Sequence, residues 1–319
     1  MRTPQQPGAS LTPGGVADAP KSDRLDANAM RAVTAGIDDL SESVRAAFTD
    51  PPPGSAGVVD AAGYSWHTVE WGEPDNPRAL FVHGVTSNSE TFWRVGPCVA
   101  AAGRRVIAVD LPGHGLTGGW RGRHRWIETA TDLAGFIRAA ELDQGNLAVV
   151  GHSWGAMTVA SLPAAGCHPE RLVLLDPPAL RRAALVSLTQ DPTERRYEEV
   201  ADAIDAIRAS GVVWSEGDIL AKANALTQID EGAVRAIYLE NGDYDAGLAA
   251  LSDPAAREIP IWIIRGDPAQ GGLIADEHVP ALSARVSEDH FLTIPGASHS
   301  PQRTHPEATI LAIMRALDG

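Results

Sequence analysis

Short apolar runs, each closed by a turn rich in Gly or Asp and followed by helical spacing, repeat along most of this chain. Residues 79–82, 106–109, 147–150, 172–175, 261–264 and 291–294 are apolar almost without interruption. That is the pattern of strands buried on both faces. Residues 90–102, 126–142 and 156–165 carry apolar positions every three or four residues, and residues 309–317 close the chain with the same spacing. Strand alternating with helix predicts an α/β fold with a mostly parallel sheet covered on both faces. Ahead of these, residues 58–59 and 64–71 flank Ala61-Ala62-Gly63 and predict an antiparallel hairpin.

Two intervals break the rhythm. Residues 177–258 are helical in pattern with no clear strand, between two strands that should be neighbours. The expectation is an α-helical cap over the carboxyl edge of the sheet, where such folds bind ligands. Near the start, Met30, Val33, Ile37, Leu40 and Val44 form an amphipathic stripe that predicts a helix over residues 23–48, stopped by consecutive prolines at Pro51-Pro52-Pro53. This stripe either packs on its own domain or makes a short coiled-coil contact in a homodimer. The organisation read from the chain is a flexible tail (1–22), an N-terminal helix and linker (23–55), a core (56–176 and 259–319) and a helical cap (177–258).

Composition narrows the function. The chain has 319 residues, 44% of them hydrophobic, which suits one large domain with an inserted lobe. Its 41 acidic against 26 basic residues give a formal net charge of -15, which repels a nucleic-acid partner. Arginines 121, 123 and 125 make too short a basic run to reverse this. Cys98 and Cys167 stand apart and predict two reduced packing residues. There is no His-Glu-x-x-His, Cys-x-x-Cys or EF-hand loop, so no metal is expected. Gly113-His114-Gly115 lacks a phosphate-loop lysine. No stretch reaches the ~20 apolar residues of a membrane helix, and the first twenty residues lack the apolar run of a secretory leader. A cytoplasmic enzyme without membrane contact, acting on a small molecule, is the expectation.

The chemistry centres on Gly151-His152-Ser153-Trp154-Gly155, after the strand 147–150 and at the start of a helix. In that context G-x-S-x-G describes a sharp turn that projects the serine, with glycines permitting close backbone approach. A serine hydroxyl needs a base. His299 follows the last strand in Pro295-Gly296-Ala297-Ser298-His299 and is the histidine best placed. Two aspartates compete to orient it: Asp267 in Arg265-Gly266-Asp267-Pro268 and Asp176 in Asp176-Pro177-Pro178. Each follows a strand and fits the order Ser, acid, His. An oxyanion hole needs two N–H donors. Trp154, after the serine, supplies one, and Val85 in His83-Gly84-Val85-Thr86-Ser87 is the choice for the other. His83 reads as a structural hydrogen-bonding residue, and Trp93 and Trp154 as pocket-lining. The acids among residues 191–205 read as a solvated helix face.

His83-Gly84 with Trp93, Asp110-Leu111-Pro112-Gly113-His114-Gly115, the Ser153 turn, Arg265-Gly266-Asp267 and Gly296-Ala297-Ser298-His299 occur in one order over residues 56–319. In these pieces the chain resembles the α/β-hydrolase superfamily. The resemblance implies an eight-stranded sheet, a cap inserted before the seventh strand, a Ser-His-acid triad and no cofactor. The family usually spaces its acid as Gly-x-x-Asp, which here lands on Ala269, and some relatives place it after the preceding strand, at Asp176. Chain order and strand position favour Asp267, with Asp276 next after Asp176. A serine at the turn separates the chain from the haloalkane dehalogenase and epoxide hydrolase branches. The implied function is a serine hydrolase of the carboxylic ester type, with Ser153, His299 and Asp267 as triad and Val85 and Trp154 as oxyanion donors. Its expected substrate is a small, uncharged or weakly polar ester, lactone, amide or relative. The alternatives are a ligand-binding protein that turns over slowly or not at all, and an acyltransferase.

Overall fold

A computed structural model describes residues 31–119, 121 and 124–319. The tail 1–22 and the first part of the N-terminal stripe, Met30 included, lie outside the described residues. The strands are β1 (Arg31–Ala32), β2 (Ser55–Ala61), β3 (Tyr64–Trp71), β4 (Arg78–Val82), β5 (Arg105–Val109), β6 (Leu147–His152), β7 (Arg171–Leu175), β8 (Ala179–Leu180), β9 (Tyr244–Asp245), β10 (Ile261–Arg265) and β11 (Phe291–Thr293). Nine of them form one sheet in the order β1-β11-β10-β7-β6-β4-β5-β3-β2. The β2–β3 hairpin and the β3–β5 pair are antiparallel, and every other pair in the sheet is parallel.

Successive residues of a strand point to opposite faces, and the core divides accordingly. Leu80, Val82, Ile107, Val149, Leu172 and Ile263 meet one apolar cluster that includes Leu133, Phe136 and Ile137 of the helix Trp126–Ala139. Phe81, Ala108, Val150, Val173 and Ile264 meet the other, with Val95 and Val99 of the helix Val95–Ala101 and Ile310 and Ile313 of the helix Pro306–Asp318. Covering on both faces is why the central strands read as unbroken apolar runs.

The N-terminal stripe departs from expectation. Its described part is not one helix but β1, a 3-10 turn at Ile37–Asp39 and a helix at Glu42–Thr49. Gly36 is extended (φ -112°, ψ 179°), and the Ser41 hydroxyl accepts the Val44 N–H and starts the helix there. β1 adds a ninth strand beside β11, continued by the Val33 N–H to Thr293 carbonyl bond of 2.8 Å. Leu40, Val44 and Ala47 are buried in the chain's own core with Trp71 and Cys98. Of the described stripe, Leu40 and Val44 are thus buried and Val33 is half-buried, while Ile37 on the 3-10 turn is exposed, because tertiary packing outweighs helical spacing.

Between β7 and β10 the chain forms the helices Arg182–Leu188, Val200–Ala209, Glu216–Thr227, Glu231–Glu240 and Leu248–Leu251. Leu185, Ile207, Ile219, Leu226 and Tyr238 give this segment its own apolar cluster. The antiparallel β8–β9 ribbon ties its entry to its exit.

Candidate active site

Neighbouring strands end at one edge of the sheet. In register, Val82 of β4 pairs with Gly151 of β6, and His152 of β6 with Leu175 of β7. His83, Ser153 and Asp176 therefore emerge side by side. Ser153 takes φ 56° and ψ -123°, a conformation costing about 1–3 kcal/mol that packing must hold. The two glycines make it possible. A Cβ on Gly155 would stand 2.4 Å from the His83 carbonyl oxygen, and one on Gly151 would stand 2.5 Å from the Gly155 carbonyl oxygen. The helix Trp154–Ala160 can therefore press against β4 and β6 only with glycine at these places.

His299 Nε2 lies 2.8 Å from Ser153 Oγ, and its Nδ1 lies 2.7 Å from Asp176 Oδ2. A carboxylate only accepts, so Nδ1 carries the proton and Nε2 faces the serine as acceptor. The His299 carbonyl in turn accepts from His152 Nε2 at 2.9 Å. Burial holds His152 well below the ordinary imidazole range, so it serves as a neutral donor. Asp176 is fully buried, with φ 42°. Besides the imidazole it accepts the Gly266 and Leu273 N–H groups, each at 3.0 Å.

Asp267 does not take the place expected of it. Its carboxylate accepts the Ala269 and Gly296 N–H groups, both at 2.9 Å, and these bonds hold it below the usual carboxylate range. The residue starts the 3-10 turn Pro268–Gln270 and fastens the loop that carries His299, without touching the imidazole. The physical reason lies in strand order. β7 stands between β6 and β10, so the residue after β7 is the nearer one to the serine. Asp276 is not a candidate either, since it pairs with Arg265 Nη2 at 2.9 Å.

Val85 and Trp154 both line a cavity of about 650 Å³ that opens over Ser153 and His299. Neither main-chain N–H has a backbone acceptor among the described residues, and Trp154 stands at a helix N-terminus, where such donors are left over. Gly84 fits closely beneath, a Cβ there standing 3.1 Å from that of Ser153. His83 is structural as expected, accepting the Leu111 N–H at Nε2 and donating from Nδ1 to the Gly84 carbonyl. Trp93 is not in the cavity wall. Its indole N–H donates to Asp218 at 3.0 Å.

The far wall comes from the inserted segment, with Leu185 and Leu188 of the helix Arg182–Leu188 and with Val212 and Trp214 of the link before the helix Glu216–Thr227. It also holds a polar group that sequence reasoning missed. Lys222 Nζ donates to the Thr86 carbonyl (3.0 Å), Thr86 Oγ1 (2.6 Å) and Glu194 (3.2 Å). Glu194 also accepts from the Thr86 hydroxyl and from Tyr238 at 2.8 Å. Glu194 thus turns inward rather than lying on a solvated face. One signal was available, since Lys222 is one of only two lysines in the chain and sits among alanines.

The known proteins agree with this architecture. The alpha/beta hydrolase family matches residues 79–312. A 2-(acetamidomethylene)succinate hydrolase of Mesorhizobium japonicum is 30% identical over 256 residues, covering 76% of this chain and 88% of that protein. Esterase Rv0045c of Mycobacterium tuberculosis is 30% identical over 312 residues, covering 89% of this chain and 97% of that one. The crystal structure of E-2-(acetamidomethylene)succinate hydrolase superposes with a TM-score of 0.70 at 24% identity, over 83% of this chain and all of that one. This chain belongs to the alpha/beta hydrolase family. It is a hydrolase, and no helix among its described residues is long and apolar enough to cross a membrane.

Proposed function

We propose that the chain is a cytoplasmic serine hydrolase that cleaves esters or related acyl bonds through an acyl-enzyme, with Ser153, His299 and Asp176 as its triad. The observation that carries this reading is the unbroken relay from Ser153 Oγ to His299 (2.8 Å) to Asp176 (2.7 Å). Ser153 Oγ attacks the substrate carbonyl while His299 Nε2 takes its proton. Asp176 holds the imidazole tautomer and stabilises the imidazolium. The Val85 and Trp154 N–H groups receive the oxyanion. Collapse of the tetrahedral intermediate expels the leaving group, which takes the proton from His299. Water, deprotonated by the same imidazole, then releases the acid and frees the serine. The inserted helices of residues 177–258 act as a cap that excludes bulk water and selects the acyl chain. The names of the two relatives support the reading, one being an esterase and the other a hydrolase.

The test is a panel of p-nitrophenyl esters of increasing chain length beside lactones and amides, with Ser153→Ala as control. Release of p-nitrophenol that requires Ser153 is expected. Failure of the wild type on every member would remove the ester-cleaving reading and favour a binding protein.

A further inference from the structure

Ion pairs account for most of the charges around the cavity. Lys222 is matched by Glu194. Arg94, beyond the wall, is matched by Asp218 at 3.6 Å. Arg303 is the exception. It stands on the short helix Pro301–Thr304, four residues after His299, and is 7% exposed. Its Nη2 donates to Thr91 Oγ1 at 3.0 Å, and its guanidinium lies 4.5 Å from the ring centroid of Trp214. No carboxylate forms an ion pair with it among the described residues. Asp218 and Glu194 act on it only from farther off, while burial weakens its hold on its proton. A guanidinium carries five N–H donors, so one hydroxyl and one aromatic face leave most of them without an acceptor.

Such a charge is expensive to keep, because an ion taken out of water needs a counter-charge. Arg303, Trp214, Thr86 and Lys222 all line the cavity beside Ser153 and His299. Arg303 and Lys222 also bear on the same reacting side of the cavity, since both help to depress His152, whose ring is 5.1 Å from that of His299. This pocket is positive inside a chain whose net charge is -15.

We infer that Arg303 is a specificity-determining residue that binds a carboxylate on the acyl part of the substrate, so that the enzyme acts on acyl derivatives of dicarboxylic acids. The inference rests on the hydrolase reading for its reaction, and it replaces the sequence-based expectation of an uncharged or weakly polar substrate. The guanidinium offers two parallel N–H groups to the carboxylate, a geometry that lysine does not reproduce. Lys222, already committed to Glu194 and Thr86, adds field rather than direct bonds. Trp214 and Leu188 would enclose the methylenes between the carboxylate and the scissile carbonyl.

Mono-p-nitrophenyl glutarate and p-nitrophenyl valerate differ only in a terminal carboxylate in place of a methyl group, and their kcat/KM ratio reads the inference. The wild type is expected to prefer the glutarate ester. In Arg303→Gln the ratio should fall by about tenfold to a hundredfold, mostly through KM, which is the worth of a buried charge-assisted pair. Arg303→Lys should recover part of it. A wild type that prefers the valerate ester, or a ratio unchanged in Arg303→Gln, would overturn the inference and leave Arg303 as a strut between Thr91 and Trp214. If Arg303→Gln does not fold, inhibition of the wild type decides. Glutarate should compete with the valerate ester and 1,5-pentanediol should not, and equal or absent inhibition by the two overturns it. If neither ester is cleaved, glutarate should still raise the melting temperature of the wild type. That rise would uphold the carboxylate site while the ester-cleaving reading fell, and its absence would remove the site.

Discussion

Replacing Asp176 by Asn probes the relay with little change of shape. The carboxylate now accepts three N–H groups, from His299, Gly266 and Leu273. An amide has one oxygen and one NH2, so at least one of these donors must face another donor. If the amide NH2 faces the imidazole, His299 Nδ1 becomes the acceptor and Nε2–H points at Ser153, where it cannot take a proton. If the oxygen faces the imidazole, a main-chain N–H is left buried without an acceptor, at about 1–3 kcal/mol of stability. The first arrangement is the wrong-tautomer case, for which about 10⁴ in kcat is lost in a serine protease, or about 5.5 kcal/mol of barrier. Asp176→Asn should therefore lose about three to four orders of magnitude in kcat on whichever p-nitrophenyl ester the wild type accepts, with KM changed far less. Asp267→Asn is the matched control. It alters one of two capping bonds on a half-exposed turn and should cost about 1 kcal/mol of stability, with kcat within a fewfold of wild type. Thermal unfolding separates the two kinds of loss. Turnover in Asp176→Asn within about tenfold of wild type, with a folded protein, would refute the reasoning.

Burial holds His83, His114, His124 and His152 below the ordinary imidazole range, His124 down to about 4. The unfolded chain takes up protons at these positions below about pH 6.5 while the folded chain does not, so stability falls as pH falls from 7 to 5, by up to about 1.4 kcal/mol per pH unit for each such histidine. His67, raised by its bond to Asp110, acts in the opposite sense. Urea unfolding midpoints across that range check the slope, and a flat profile would contradict it. The thiols of Cys98 and Cys167 are buried and pushed up by that burial to about 12 and about 11. Ellman's reagent should titrate them only after denaturation, since the thiolate is the reacting form, and rapid modification of native protein would contradict their packing. Val44→Ala should cost roughly 1–3 kcal/mol by leaving a cavity beside Cys98. An unchanged melting temperature would mean that the N-terminal segment is not part of the core.

The central strands were legible because both of their faces are covered, which leaves an apolar run that no surface strand shows. Ser153 and His299 were legible because each needs a local backbone context, a strand end with small neighbours, that the residues themselves display. The acid was not. Asp176 and Asp267 each follow a strand and precede a proline, and what separates them is made by distant residues. Gly266 and Leu273 reach Asp176 from about ninety residues away, and the loop closes over it through Gly271, at φ 89°, and Gly272. The absence of the usual Gly-x-x-Asp spacing was the only local trace. The segment Val33–Ile37–Leu40–Val44 carried helical spacing but folds as a strand, a turn and a short helix, with Leu40 and Val44 buried and Ile37 exposed. The β8–β9 ribbon, two residues on each side, is too short for any period to register. Lys222 and Glu194 meet only when the inserted helices fold together, so the acids of residues 191–205 gave no hint that one of them turns inward.

The central claim is that His299, held by its bond to Asp176, activates Ser153. A biotinylated fluorophosphonate measures this directly: Ser153 Oγ displaces fluoride at phosphorus as His299 takes the proton, and peptide mass spectrometry locates the adduct. The account predicts one adduct per chain, on the peptide containing Ser153, with the labelling rate reduced by several orders of magnitude in folded His299→Ala and Asp176→Asn. Labelling of Ser153 at the wild-type rate in both variants, or no adduct on Ser153 in the wild type, would contradict it.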